Sequence, residues 1–155
     1  MAVPFTRSGL FRRTERSWAV SRTNTRSTIG EVDTAAGGFS LPEAGLLIRA
    51  PFIDWILDGL KVWEMRTKRT ERRGRIGLIR SKSGMVVGEA NLIDVRGPLT
   101  HRELIHNAEK MNLERWDIAA PEVPTFAWVL DGARRYAPPI PYTHRSGAVV
   151  WARLP

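Results

Sequence analysis

Residues 50–75 read APFIDWILDGLKVWEMRTKRTERRGR, and the rest of the chain is organised around them. Pro51 stands where a helix places its first residue, since proline's missing N–H has no intrahelical acceptor there in any case. Phe52, Ile53, Ile56 and Leu57 follow at helical spacing and mark one apolar face. Gly59 supplies the stop, because glycine takes the left-handed conformation that ends a helix. Residues 61–66 then alternate as a strand does. Val62, Glu64 and Arg66 share one face, and Lys61, Trp63 and Met65 the other.

A carboxylate two residues from an arginine on one strand face is placed to pair with it. Lys61, just past the helix stop, reaches the same spot only through a twist or a bulge. Charged groups gathered at a strand end suit a polar ligand. A lysine whose pKa is depressed by burial can also act as a base or nucleophile. The plainer reading of the same spacing is a salt-bridged strand end with no ligand. The loop after it, residues 67–75, carries Lys68, Arg69, Arg72, Arg73 and Arg75 against Glu71. Trp55 and Trp63 lie nearby in sequence, either as core residues or as surfaces on which bases stack.

Working outward, residues 45–49 form a short apolar run that suits a buried strand. Residues 76–79 and 85–93 read as two strands joined by the turn Ser81-Lys82-Ser83-Gly84. Gly88 inside the second marks a bulge or a close backbone approach. Thr100 and Glu103 form a capping box that starts a helix running to about Lys110. Asn112 caps a second short helix over residues 113–119. Residues 125–130 are a strand, Asp131-Gly132 a turn, and Pro138, Pro139 and Pro141 an extended sheet-edge segment. Residues 147–154 form the last strand. Short strands with helices between them predict an α+β fold, a small, partly closed mixed β-barrel flanked by short helices. The strands lie too close together for a doubly wound parallel sheet.

The 155-residue chain is long enough for one domain, placed at residues 41–155. Residues 1–40, rich in Arg, Ser and Thr, read as a basic, mostly disordered extension. An organelle transit peptide, or a true start codon further in, are the two other readings of that segment. The formal net charge is +8, carried mostly by clustered arginines. That balance favours a polyanionic partner, RNA or DNA, over a merely solubilising surface. The absence of cysteine excludes a disulfide framework, a cysteine zinc site and a thiol nucleophile, and fits a reducing, cytoplasmic setting. No apolar run approaches the ~18–20 residues that span a bilayer, so no membrane partner is expected. His101, His106 and His144 do not take up metal-ligand spacing, and neither a metal nor another cofactor is expected. No G-x-S-x-G elbow, P-loop or G-x-G-x-x-G is present.

Several of these features, taken in order, resemble the ASCH family, the activating signal cointegrator homology domains of the PUA-like superfamily. The shared pattern is a Pro-aromatic pair opening a helix, then G-x-K-x-x-E-x-R, then a G-R turn into a strand. Here it is Pro51-Phe52, then Gly59, Lys61, Glu64 and Arg66, then Gly74-Arg75. Val86-Val87-Gly88, Phe126-Ala127-Trp128-Val129-Leu130, Pro139-Ile140-Pro141 and Val150-Trp151-x-x-Leu154 continue it. The resemblance covers residues 46–154. It implies a PUA-like β-barrel with a positively lined cleft near Lys61, and a nucleic acid or a nucleotide-like small molecule as ligand. Lys61, Glu64, Arg66, Lys68, Arg69, Arg72, Arg73 and Arg75 would then contact it.

The resemblance leaves activity open. Relatives include binding modules, a reported ribonuclease and a bacterial branch that hydrolyses N4-acetylcytidine with a lysine, a threonine and a glutamate. The lysine maps onto Lys61, the threonine onto Glu64 and the glutamate onto Glu109. Three functions follow as expectations. The first is an RNA-binding domain. The second is a metal-independent hydrolase of RNA or of an N-acylated nucleoside, with Lys61, Glu64 and Glu109 as its catalytic set. The third is a protein-interaction module of a transcription or translation assembly.

Overall fold

The computed structural model describes residues 30–155. Of residues 1–40, read as mostly disordered, 1–29 lie outside the described residues; 30–40 are ordered instead, with Glu31–Asp33 paired into the sheet and Val32 and Phe39 packed on the core. Seven strands form the sheet: β1 (Glu31–Asp33), β2 (Ala44–Ile48), β3 (Trp63–Arg66), β4 (Gly74–Arg80), β5 (Met85–Arg96), β6 (Phe126–Pro141) and β7 (Trp151–Arg153). Two short helices, α1 (Phe52–Leu57) and α2 (His101–His106), interrupt them. β1 precedes the expected domain start at residue 41, pairing with β6 through backbone bonds that any sequence can make.

The strands pair in the order β1-β6-β5-β4-β2-β7, with β3 also on β6. The pairs β1·β6 and β2·β4 are parallel, and the others antiparallel. The fold is thus α+β, as expected, but the sheet is not a barrel. Its pairing runs as an open path, because β3 and β7 are short and their ladders go to β6 and β2 alone. A side chain spans the seam between β3 and β2 instead. The Arg66 guanidinium donates to the Leu47 carbonyl at 2.8 Å.

Helix α1 covers one face of the sheet. Its Ile53, Ile56 and Leu57 pack with Leu46, Ile48, Ile76, Leu78, Leu92 and Leu130 in the main core. Full burial of each such side chain favours folding by roughly 1.5–3 kcal/mol. Ion pairs from Arg80 and Arg135 set the helix on the sheet. Arg80 bonds Asp54 through both terminal nitrogens, at 2.9 and 2.5 Å, and Arg135 bonds Asp58 at 2.6 Å. The hydrogen bond from Arg80 holds the Asp54 carboxyl below its ordinary pKa against the opposing effect of burial. Gly59 has φ +71°, as the helix stop requires.

Three expectations for residues 100–132 need correction. The capping box at Thr100 is present, but α2 ends at His106. A 3-10 turn follows over Ala108–Met111, and the helix expected at residues 113–119 is a 3-10 turn of three residues, Arg115–Asp117. Asp131-Gly132 does not reverse the chain; β6 runs straight through it. Between the pairs Asn91–Asp131 and Glu89–Arg134, β6 holds one residue more than β5, a bulge that Gly132 accommodates at φ +59°. Gly88 meets both expectations at once. The β5·β6 register shifts beside it, and an added Cβ would lie 2.3 Å from the Arg134 carbonyl oxygen and 2.5 Å from Leu57.

Candidate functional site

Lys61 does not belong to the strand. Its N–H and that of Leu60 both bond the Trp55 carbonyl, so the chain is still turning off α1 at that point. This turn supplies the twist that strict alternation lacked, and Lys61 reaches Glu64 from the side. Its Nζ lies 3.3 Å from Glu64 Oε2, while Arg66 lies 3.0 Å from Glu64 Oε1. The ammonium also donates to the Trp63 carbonyl and sits 5.8 Å from the Phe52 ring centre. The three side chains therefore converge, but inside the protein: Lys61, Glu64 and Arg66 are 4%, 6% and 4% exposed.

Two cations on one carboxylate leave a net positive charge in a buried place. Burial pushes the Lys61 amine below its ordinary pKa; Glu64 opposes this and Arg66 adds to it. Arg66 is also the one described side chain with a buried polar atom, its Nε, lacking any hydrogen-bond partner. An unfilled donor of this kind calls for a ligand, a water or a strained fit.

From Arg66 the site continues outward as a stack. The Arg66 guanidinium lies 5.6 Å from the Trp128 ring centre. Trp128 stacks on Trp151 at 5.4 Å with 18° between the planes. Arg72, on the basic loop, lies 5.0 Å over Trp151. β6 and β7 are not neighbours in the sheet, so the paired rings fill the seam that backbone pairing leaves open. The Trp128 indole N–H donates to the Lys68 carbonyl at 2.9 Å and ties the loop to the ring beneath it. Arg69 lies over Phe126 at 5.8 Å and donates to the Gly97 carbonyl, and Arg73 donates to carbonyls of its own loop.

Lys68, Arg69, Arg72 and Arg73 are all exposed on this one loop, with Arg72 over the ring at the seam. Arg75 is exposed too but engages elsewhere. It donates to the Ser40 carbonyl and to Glu89, beside a cavity of about 320 Å³. Glu109 is exposed on the 3-10 turn after α2, and no bond joins it to Lys61. Trp63 is core and Trp55 half-buried against Phe52, so neither offers a free face beside the loop. The ring beside the loop is Trp151, its outer face covered by Arg72; local spacing could not single it out, because its stacking partner stands 23 residues away on β6. Trp116, 81% exposed, stands apart on the second 3-10 turn. Among the described residues no three His, Cys, Asp or Glu side chains gather to hold a metal ion, and no helix is long and apolar enough to cross a membrane.

The family model of the ASCH domain matches residues 46–139. The chain belongs to the ASCH domain family. Solved structures agree in fold. A tyrosine-to-phenylalanine mutant of the ASCH protein from Zymomonas mobilis is 16% identical, with a TM-score of 0.55, covering 72% of this chain and 89% of that one. A serine-to-alanine mutant of the same protein is 17% identical, with a TM-score of 0.54, covering 74% and 92%. No curated protein sequence matches this ASCH domain. At such identities the structural likeness concerns the fold, and the chemistry rests on the residues described above.

Proposed function

We propose that this ASCH domain binds nucleic acid, RNA above DNA, with its phosphates on Lys68, Arg69, Arg72 and Arg73. The observation that carries the reading is the fixed basic loop. Four exposed cations sit on one short segment, which the buried Trp128 ties down through the Lys68 carbonyl and Arg69 through the Gly97 carbonyl and the Phe126 ring. Pre-ordering matters because flexible lysines and arginines lose rotamer entropy on binding, and part of that loss is already met in the free protein. The arrangement suits an unpaired strand, whose phosphates follow the loop while its bases turn toward the rings.

Salt dependence tests this. Each phosphate contact on a single strand contributes about −0.7 to the slope of log affinity against log salt. Changing Lys68, Arg69 and Arg73 together to alanine is expected to flatten that slope by about 2 and to weaken binding of every sequence alike. Fluorescence anisotropy with a labelled RNA oligonucleotide reads both. No measurable binding of RNA or DNA at low salt rejects the reading.

The depressed pKa of Lys61 favours a second reading, a hydrolase of RNA or of an N-acylated nucleoside such as N4-acetylcytidine. A neutral amine there could take a proton from an attacking water, with Glu64 beside it receiving or returning protons. The geometry favours binding over this, since Lys61 is buried and its protons are engaged by Trp63 and Glu64. If turnover exists, Lys61→Ala is expected to lower it by about 100-fold or more. Product assays on RNA and on N4-acetylcytidine decide; full turnover in the variant removes Lys61 from the chemistry.

A further inference from the structure

Among the arginines around the seam, Arg72 is the least committed. Arg66, Arg69, Arg73 and Arg75 each donate side-chain hydrogen bonds, whereas the described contact of the Arg72 guanidinium is the face of Trp151. One face of Trp151 lies against the buried Trp128, so the guanidinium takes the other. A guanidinium over a ring at an exposed site is held weakly, and the four-bond arm of arginine lets it swing. Beside this face lies a cavity of about 540 Å³, lined by Arg72, Trp151 and Arg153 among others. The space is open to solvent and bordered by the Trp151 ring, which a second ring braces from behind; Arg72 and Arg153 line it with two positive charges against one side-chain carboxylate, that of Glu43.

We propose that Trp151 is a stacking platform for one unpaired nucleobase, with Arg72 as the lid that closes over the base. The platform presupposes the nucleic-acid binding proposed for the loop and assigns one base of that strand to one ring. The base enters where Arg72 now rests. The resulting order is Arg72, base, Trp151, Trp128. A base is flat and polarisable on both faces, so it replaces a cation–π contact by a stack on one side and a new cation–π contact on the other. Arg153, on the strand that carries Trp151, lies at the cavity to meet the phosphate of the same nucleotide. Trp128 keeps the platform from tilting, because its own indole N–H is tied to the Lys68 carbonyl. A tryptophan retained only as core filling needs none of this; bulk alone would serve it.

The test separates bulk from stacking. The full chain, with Trp151→Leu, Trp151→Tyr and Arg72→Ala, is titrated against a labelled ten-nucleotide RNA. The same variants are titrated against a strand of equal length with every base removed. Circular dichroism first establishes that each variant is folded. Trp151→Leu is expected to bind the intact RNA about tenfold more weakly. Its salt slope should stay that of the wild type, since no phosphate contact is removed. Trp151→Tyr should recover most of the loss. Arg72→Ala, at an exposed residue, should lose less than Trp151→Leu on the intact strand. On the abasic strand the wild type and Trp151→Leu should bind alike.

Equal affinity of wild type and folded Trp151→Leu for the intact RNA overturns the platform. If Trp151→Leu does not fold, the wild type alone decides: equal affinity for the intact and abasic strands overturns the platform and leaves the loop reading standing. Failure of the wild type to bind either strand at low salt overturns both.

Discussion

Glu64→Ala is expected to destabilise the domain by about 3–5 kcal/mol, the largest effect of any single substitution in the site. The lost group is the single carboxylate between two buried cations, Lys61 and Arg66. Each keeps one backbone partner, the Trp63 and Leu47 carbonyls, and neither keeps a counter-charge. Arg66 cannot shed its proton, whereas Lys61 can, and its pKa already lies below the ordinary value. The sign of the pH effect follows. Between the depressed folded pKa and the ordinary 10.5, the unfolded chain binds more protons than the folded one, so stability rises with pH there. The cost of Glu64→Ala should therefore shrink as the pH is raised from neutral toward 10. Urea denaturation across that range measures it, with the midpoint as readout and a constant m-value as the check on two-state behaviour. A cost that is flat with pH would mean Lys61 does not change its protonation state across that range.

A companion variant asks what the trio is for. Buried ion clusters replaced as a whole by apolar residues are often neutral or stabilising. Lys61→Met, Glu64→Leu and Arg66→Met combined should therefore recover most of the Glu64→Ala loss. If that protein is stable and binds RNA as the wild type does, the trio is a staple across the β3–β2 seam. If it is stable and binding fails, the buried charges serve the ligand.

Glu89 gives the second large effect and a different pH signature. The side chain is 2% exposed on β5 and saturated. Oε2 accepts from Arg75 at 2.7 Å and from the Tyr136 hydroxyl at 2.8 Å, and Oε1 accepts from Arg134. Burial pushes the carboxyl up, but the hydrogen bonds from Arg75, Tyr136 and Arg134 outweigh it and hold the pKa below the ordinary 4.5. Burial and the Glu89 contact push the Tyr136 hydroxyl the other way, well above its ordinary value, so it stays a donor. Glu89→Gln at neutral pH should cost about 2–3 kcal/mol. That is less than Glu64→Ala, because Arg75 and Arg134 are partly exposed and turn to water when released.

A folded pKa below the unfolded one gives stability that is complete above pH 4.5 and is lost as the pH falls through the folded value. The wild type should thus converge on the glutamine variant in acid. Thermal or urea midpoints at pH 7 and about pH 3 decide. An undiminished difference in acid would mean the carboxylate is not what stabilises the cluster.

How much of this was legible in the sequence depended on whether the cause was local. Helix α1, its glycine stop and the capping box at Thr100 are set by neighbours within a few residues, and they read out in place; the strand expected over residues 61–66 forms only from Trp63. The pairing of Lys61, Glu64 and Arg66 was readable for the same reason. Their burial was not, because Trp128 and the Leu47 carbonyl that cover them come from other strands. Asp131-Gly132 carries a turn signature, and what makes it a bulge is β5 continuing alongside on both sides. The partly closed barrel was the expectation furthest from the outcome, an open sheet, since the lengths of β3 and β7 and the packing of indoles at the seam are set by tertiary contacts. The Arg75–Glu89–Tyr136 cluster lay open in no pattern at all, joining residues from three strands.

β6 carries one more consequence, for the order in which the chain is made. This strand pairs with β1, β3 and β5, and all three precede it. On the ribosome, β4 and β5 can close their hairpin as they emerge, while β1 and β3 wait with bare edges until residues 126–141 have cleared the exit tunnel. Synthesis proceeds at about 5–20 residues per second, so those edges stand unpaired for several seconds at least. Topologies dominated by such distant pairings also fold slowly, over milliseconds to seconds. Completion of the sheet therefore waits on a single late strand. Truncation or stalling before that strand would leave a chain with its edges open to other chains.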